Sequence, residues 1–166
     1  PSACRVKLRE AIDVMFSGDE KTMIAFIEKF REEFKTLDIS QISFPRGVNG
    51  IGQYSGKNGS LYEKGTPIHV RGSLVFNHLL KKHKLTKTYE SIKEGEKIKF
   101  IYLKEPNTIQ SNIISFHDKL PKEFDIEKYI DYNTQFDKSF VEPLKIILDC
   151  IGWKTEHVNS LESFFV

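Results

Sequence analysis

"EKIKFIYLKEPNTIQSNIISF", residues 96–116, decides the fold class. Its two ends, EKIKFIYL (96–103) and SNIISF (111–116), are short runs rich in β-branched and aromatic residues, and KEPNTIQ (104–110) between them has the composition of a turn. Two strands are therefore predicted in a chain whose other apolar residues recur mostly at helical spacing. The expected class is α+β, mostly helical.

Upstream, PSACRVKLREAIDVMF (1–16) places Cys4, Leu8, Ala11, Ile12 and Met15 on one helical face. Gly18 suits a left-handed helix end and Asp19 the N-cap of the next helix. Met23, Phe26, Ile27, Phe30, Phe34 and Leu37 then follow the three-four spacing of an amphipathic helix. So short a link predicts an N-terminal helical hairpin. From Asp38 the pattern changes: a short strand is expected at Ile39–Phe44, followed by a long glycine-rich loop holding Gly47, Gly50, Gly52, Gly56 and Gly59. Long loops in compact domains are uncommon and often functional. Thr66 reads as an N-cap with Pro67 at the first helical position, opening a helix in which Gly72 is a local weak point.

Downstream of the strand pair, Phe136, Phe140, Leu144, Ile147, Leu148 and Ile151 again recur at helical spacing. Pro143 lies inside that pattern and should kink or split the helix, and Gly152 should cap it. The predicted architecture is an N-terminal helical hairpin, a glycine-rich loop, a small antiparallel strand lobe, a kinked C-terminal helix and a short aromatic tail.

With 166 residues, the chain has the length of one domain with a real core, and its thirteen phenylalanines suggest an aromatic one. A formal net charge of +2 argues by itself for neither DNA nor membrane. Its two cysteines, Cys4 and Cys150, lack metal-ligand spacing and read as reduced thiols, with Cys150 in an apolar run that suits core packing. There is no leader pattern and no apolar run of membrane-spanning length, so a cytosolic protein is expected.

Catalytic patterns are incomplete. GQYSGKNGS (52–60) has three residues between Gly52 and Gly56 and an asparagine where a phosphate loop carries its hydroxyl. Asp131 is followed by Asn133, where a second metal-binding carboxylate would stand, and so reads as a helix cap. The five histidines show no ligand spacing.

What remains suits a polyanion. FPRGVNG (44–50) offers Arg46 on a glycine-containing loop, and KGTPIHVRG (64–72) places Lys64, His69 and Arg71 around a helix N-terminus, whose free amides and dipole favour anions. His69 and Arg71 are two apart and should point different ways. KKHKLTK (81–87) adds Lys81, Lys82, Lys84 and Lys87, for which a solubilising helix end is the plainer reading. Three basic clusters beside loops or helix ends favour a nucleic-acid backbone over any one alone.

In order, FPRGVN, KGTPIHVRGSLVFN, IKEGEKIKF, YLKEPN, IDYNTQFDKSFVEPL and the terminal SLESFF resemble the C-terminal thumb region of family B DNA polymerases from T-even-like phages. The resemblance covers essentially the whole chain, dividing it into a thumb domain (1–158) and a tail (159–166). It implies a chain without catalytic residues, because that family's metal-binding palm aspartates and fingers lysine lie elsewhere. No cofactor is then expected in this chain, a divalent metal belonging to the absent palm. It implies three partners: primer–template double-stranded DNA, the catalytic palm and fingers, and a sliding clamp, in the cytoplasm of an infected bacterial host. By the same resemblance Arg46, Asn49, Lys64, His69, Arg71 and Lys138 face the duplex, through phosphates and the minor groove. Some relatives carry further lysines where this chain has Asn112 and Glu142.

The chain ends NSLESFFV (159–166). Adjacent Phe164 and Phe165 in water are an aggregation hazard, so they pack either on this domain or in a partner's groove. The resemblance implies the second: Leu161, Phe164 and Phe165 on one short helical turn, capped by Ser160, docking on the clamp. The tail lacks the glutamine of many clamp-binding boxes. Two other readings stand beside this one, a partner-binding adaptor without DNA-binding activity and a small nuclease with dispersed carboxylates.

Overall fold

The structure, a computed structural model, describes residues 1–156. The elements in chain order are α1 (Ser2–Ser17), α2 (Glu20–Phe34), a single turn α3 (Ile39–Ile42), β1 (Phe44–Gly47), α4 (Ile68–Lys82), β2 (Lys97–Tyr102), β3 (Ile113–Phe116), α5 (Tyr132–Phe136) and α6 (Glu142–Asp149). They fall into two units. One comprises Pro1 and Asp38–Gln135; the other comprises, of the described residues, Ser2–Leu37 and 136–156. The α+β class with helices dominating holds, and the three strands form one antiparallel sheet of order β1-β2-β3.

The helical unit is built on aromatic packing. Phe30 and Phe34, one turn apart on α2, meet Phe136 and Phe140: Phe30 lies 4.8 Å from Phe140 and Phe34 lies 5.2 Å from Phe136, both edge to face. All four rings are buried, each contributing about 1.5–3 kcal/mol relative to exposure. Arg31 caps the cluster, its guanidinium 4.6 Å from the Phe136 ring and 3.6 Å from Asp137. Cys4 is buried against the Ser139 hydroxyl, and burial raises its thiol pKa. Asp19 caps α2 as expected, accepting from the Thr22 amide. Gly18 is not left-handed: its amide continues the helical pattern onto Val14. α1 buries Cys4 and Ala11 but leaves Ile12 and, at 81%, Phe16 exposed, so its apolar face is narrower than the spacing suggests.

Pro143 acts as predicted. It has no amide hydrogen and its ring crowds the carbonyl four residues back, and the turn immediately before α6, Asp137–Val141, widens to π geometry. Gly152 (φ +74°) closes α6, with the Trp153 amide donating to Leu148. Cys150 is exposed, against the expectation of core packing, because it falls on the outer face with Ile146 and Ile151.

In the sheet unit, β2 and β3 occupy the two predicted strand segments, with Phe100 opposite Ser115. β1 starts later than expected. The Asp38 carboxylate accepts from the Ser40 amide and turns Ile39–Ile42 into one helical turn, so the strand is FPRG, pairing Arg46 with Ile98. Pro45, which cannot donate, is tolerated because β1 is an edge strand. α4 packs on β3, whose four residues are all buried. Gln135 ties the unit together from inside. Its amide donates to the Ile42 carbonyl at 2.6 Å, and its oxygen accepts from the Tyr102 amide at 3.1 Å.

Candidate nucleic-acid interface

β1 delivers the first candidates. Arg46 is exposed on the edge strand, and Gly47 leads to Val48, which is fully buried and exchanges backbone hydrogen bonds with Gly95 and Glu96. That anchor holds exposed Asn49 at the start of the glycine-rich loop. Gly50 (φ +87°) then turns the chain, so that its amide and that of Ile51 both donate to the Glu94 carboxylate, at 2.8–3.0 Å. These amides hold the Glu94 carboxyl below its usual range. The segment has no local signal marking Glu94, which lies 44 residues away.

The rest of the loop folds on itself as an irregular hairpin. Ser55 and Tyr62 form an antiparallel bridge, Gly56 donates to Leu61, and Glu63 donates to Tyr54. Gly56 is obligatory: a Cβ there would overlap the Ser60 backbone at 1.8 Å. Exposed Lys64 follows, and Gly65 (φ +83°) turns the chain into α4.

α4 begins one residue later than the sequence suggests, with Pro67 at the N-cap and no side chain capping the first turn. Thr66 is diverted, its hydroxyl donating to the Glu63 carbonyl. The first turn therefore presents amides without a side-chain cap, on the positive end of the helix dipole.

His69 and Arg71 diverge as expected. The His69 ring is half-buried, hydrogen-bonded to the Gly47 backbone, and 6.4 Å from the Phe100 ring. Burial, and secondarily the charge of Arg46, push its pKa below the ordinary 6.5; the Gly47 bond opposes this. The ring is therefore neutral at pH 7. Arg71 instead lies across the Tyr62 ring at 5.8 Å. The structure thus joins Arg46 to His69 and Arg71 to the loop, through Tyr62, a residue the sequence reading did not single out.

Lys138 is exposed in the π turn of the helical unit, separate from the five candidates in the sheet unit. Leu161, Phe164 and Phe165 lie outside the described residues. Asp131 caps α5 by accepting from the Thr134 amide and hydroxyl. Among the described residues, no group of three or more His, Cys, Asp or Glu side chains is placed to hold a metal, and no helix is long and apolar enough to cross a membrane.

No family model matches the chain. It is 28% identical over 169 aligned residues to the DNA-directed DNA polymerase of Enterobacteria phage T4, covering 99% of this chain. It is 27% identical over 150 residues to the DNA-directed DNA polymerase of Escherichia phage RB69, covering 87% of this chain. The chain spans only 18% and 16% of the lengths of these two relatives.

Proposed function

We propose that this chain is the thumb of a phage replicative DNA polymerase, gripping primer–template duplex without performing catalysis itself. The observation that carries the reading is similarity to two phage polymerases along nearly its entire length. The geometry supports a place for the duplex: Arg46, Asn49, Lys64 and the uncapped first turn of α4, with His69 and Arg71 holding the loop and strand around it. Phosphates would meet guanidinium, ammonium and helix-end amides, a combination that follows the backbone rather than the base sequence. Lys138 is the candidate contact of the second unit. Catalysis and its divalent metal belong to palm and fingers outside this chain, and the tail, through Leu161, Phe164 and Phe165, tethers the sliding clamp.

The test is titration of the chain with labelled primer–template duplex and matching single strand across a salt series. Each neutralised phosphate adds about −0.9 to the log–log slope on duplex. Duplex preference with a slope of roughly −3 to −5 supports the grip. Weak, salt-insensitive binding to both sinks it and favours the adaptor reading. For the tail, the Phe164→Ala/Phe165→Ala variant should lose binding to the clamp and keep its duplex affinity.

A further inference from the structure

The C-terminal half of α4 faces a different feature. Leu74, Asn77, His78 and Lys81, at successive three-four spacing, line one wall of a groove of about 560 Å³; the glycine-rich hairpin forms the other wall. The Asn77 side chain fixes the end of the groove by making both backbone hydrogen bonds to Ile92, at 2.9 and 2.7 Å. Half-buried Ile51 and Leu61, with buried Leu74 and Ile92, form the apolar floor of the groove. His78, Lys81 and Lys93 stand exposed at the rim. Glu94 is the one carboxylate among the residues lining it, and both its oxygens are engaged by the Gly50 and Ile51 amides.

We propose that this groove docks an acidic peptide segment of a partner protein, with an aliphatic or aromatic side chain seated on the Ile51–Leu61 floor. Charge complementarity selects the acidic character, and the apolar floor selects a peptide anchor. The volume lies within the usual range for sites that bury a compact group. A nucleic-acid strand suits it less: no Phe, Tyr or Trp is among the described residues lining the groove, and the His78 ring at the rim is a single stacking surface, not the succession of platforms that a strand uses. The inference is independent of the duplex grip, which uses the opposite end of α4.

The probe is a fluorescein-labelled decapeptide alternating aspartate and leucine around a central phenylalanine, followed by anisotropy on the full chain. The same peptide with lysine for aspartate, and a ten-nucleotide oligo-dT, are the comparisons. Saturable binding of the acidic peptide alone is expected. Lys81→Glu/Lys93→Glu should weaken it about tenfold, and Lys87→Glu/Lys122→Glu, the same charge change outside the groove, by less than about twofold. All four lysines are exposed, so both variants are expected to fold, as circular dichroism will show. On the unmodified chain, methyl NMR shifts should concentrate at Ile51, Leu61 and Leu74. The proposal is overturned by no acidic-peptide binding, by equal weakening in both variants, by shifts elsewhere, or by oligo-dT binding that Lys81→Glu/Lys93→Glu abolishes.

Discussion

Gly72 of α4 lies directly against Ser115 of β3: a Cβ on the glycine would come 2.4 Å from the serine hydroxyl oxygen and 2.9 Å from its backbone nitrogen. That hydroxyl donates to the His69 carbonyl at 2.9 Å, and the Ser73 hydroxyl donates to the same carbonyl at 2.7 Å. In an open helix interior, Gly→Ala gains about 1 kcal/mol. Here the overlap is with a sheet backbone that cannot move alone, and overpacking costs about 1–3 kcal/mol. Overlap wins. Gly72→Ala should lower Tm by several degrees in a thermal melt, and an increase would show that the helix lifts freely from the sheet.

The depressed pKa of His69 fixes a sign for pH effects. Well above 6.5 the ring is neutral folded and unfolded, so it contributes no pH dependence there. As pH falls below that, the unfolded chain takes up a proton that the native site resists, because of burial and then Arg46. Stability attributable to His69 is therefore lost on acidification through its folded pKa. His69→Gln should flatten the fall in Tm between pH 7.5 and 5.5 relative to the parent. A phosphate beside the ring reverses the balance, so duplex affinity should rise over the same interval, and less so in His69→Gln.

Lys84 carries φ +56°, with its amide donating to Lys81 and the Leu85 amide to Leu80, the double closure of a Schellman motif. Glycine is the usual occupant, since an L side chain in that conformation costs about 1–2 kcal/mol. Part of the gain from Lys84→Gly is offset by greater freedom of the unfolded chain, leaving roughly 0.5–1 kcal/mol. Tm should rise by about 2–3 °C. Unchanged duplex affinity in the same variant would mark this basic run as a solubilising helix end. A fall in Tm would mean the lysine side chain contributes more than its backbone strain costs.

Elements set by local chemistry were legible in the sequence. β2, β3, the Asp19 cap, the Pro143 disruption and the Gly152 closure each follow from residues within one turn or strand. What was misread depends on distant partners. Gly72 read as a helix weak point until Ser115, from another element, came to lie on it. The strand expected at Ile39 is the local exception: it yielded to the Asp38 carboxylate accepting from the Ser40 amide two residues on. Within the candidate site, the divergence of His69 from Arg71 was readable from spacing, whereas Arg46, expected on the glycine-rich loop, stands on the edge strand β1. Tyr62 under Arg71 was not readable, because the loop pairing that brings it there has no periodic signature.

Arg46 and Arg71 carry the same charge in different settings, so their substitutions should separate grip from architecture. Arg46 is exposed, and the hydrogen bond its guanidinium makes among the described residues is to the adjacent Pro45 carbonyl, at 3.3 Å. Arg46→Ala should leave Tm unchanged and reduce the magnitude of the duplex salt slope by about 1. Lys64→Ala should behave likewise. Arg71 is half-buried over Tyr62, a contact worth about 0.5–1 kcal/mol, so Arg71→Ala should lower both Tm and affinity. Arg71→Lys keeps the charge but loses the planar stacking, and should recover the salt slope more fully than the Tm. Melts and salt titrations on the four variants check this directly. An Arg46→Ala slope equal to the parent's would remove β1 from the interface and leave Asn49, Lys64 and the α4 end as the candidates of the sheet unit.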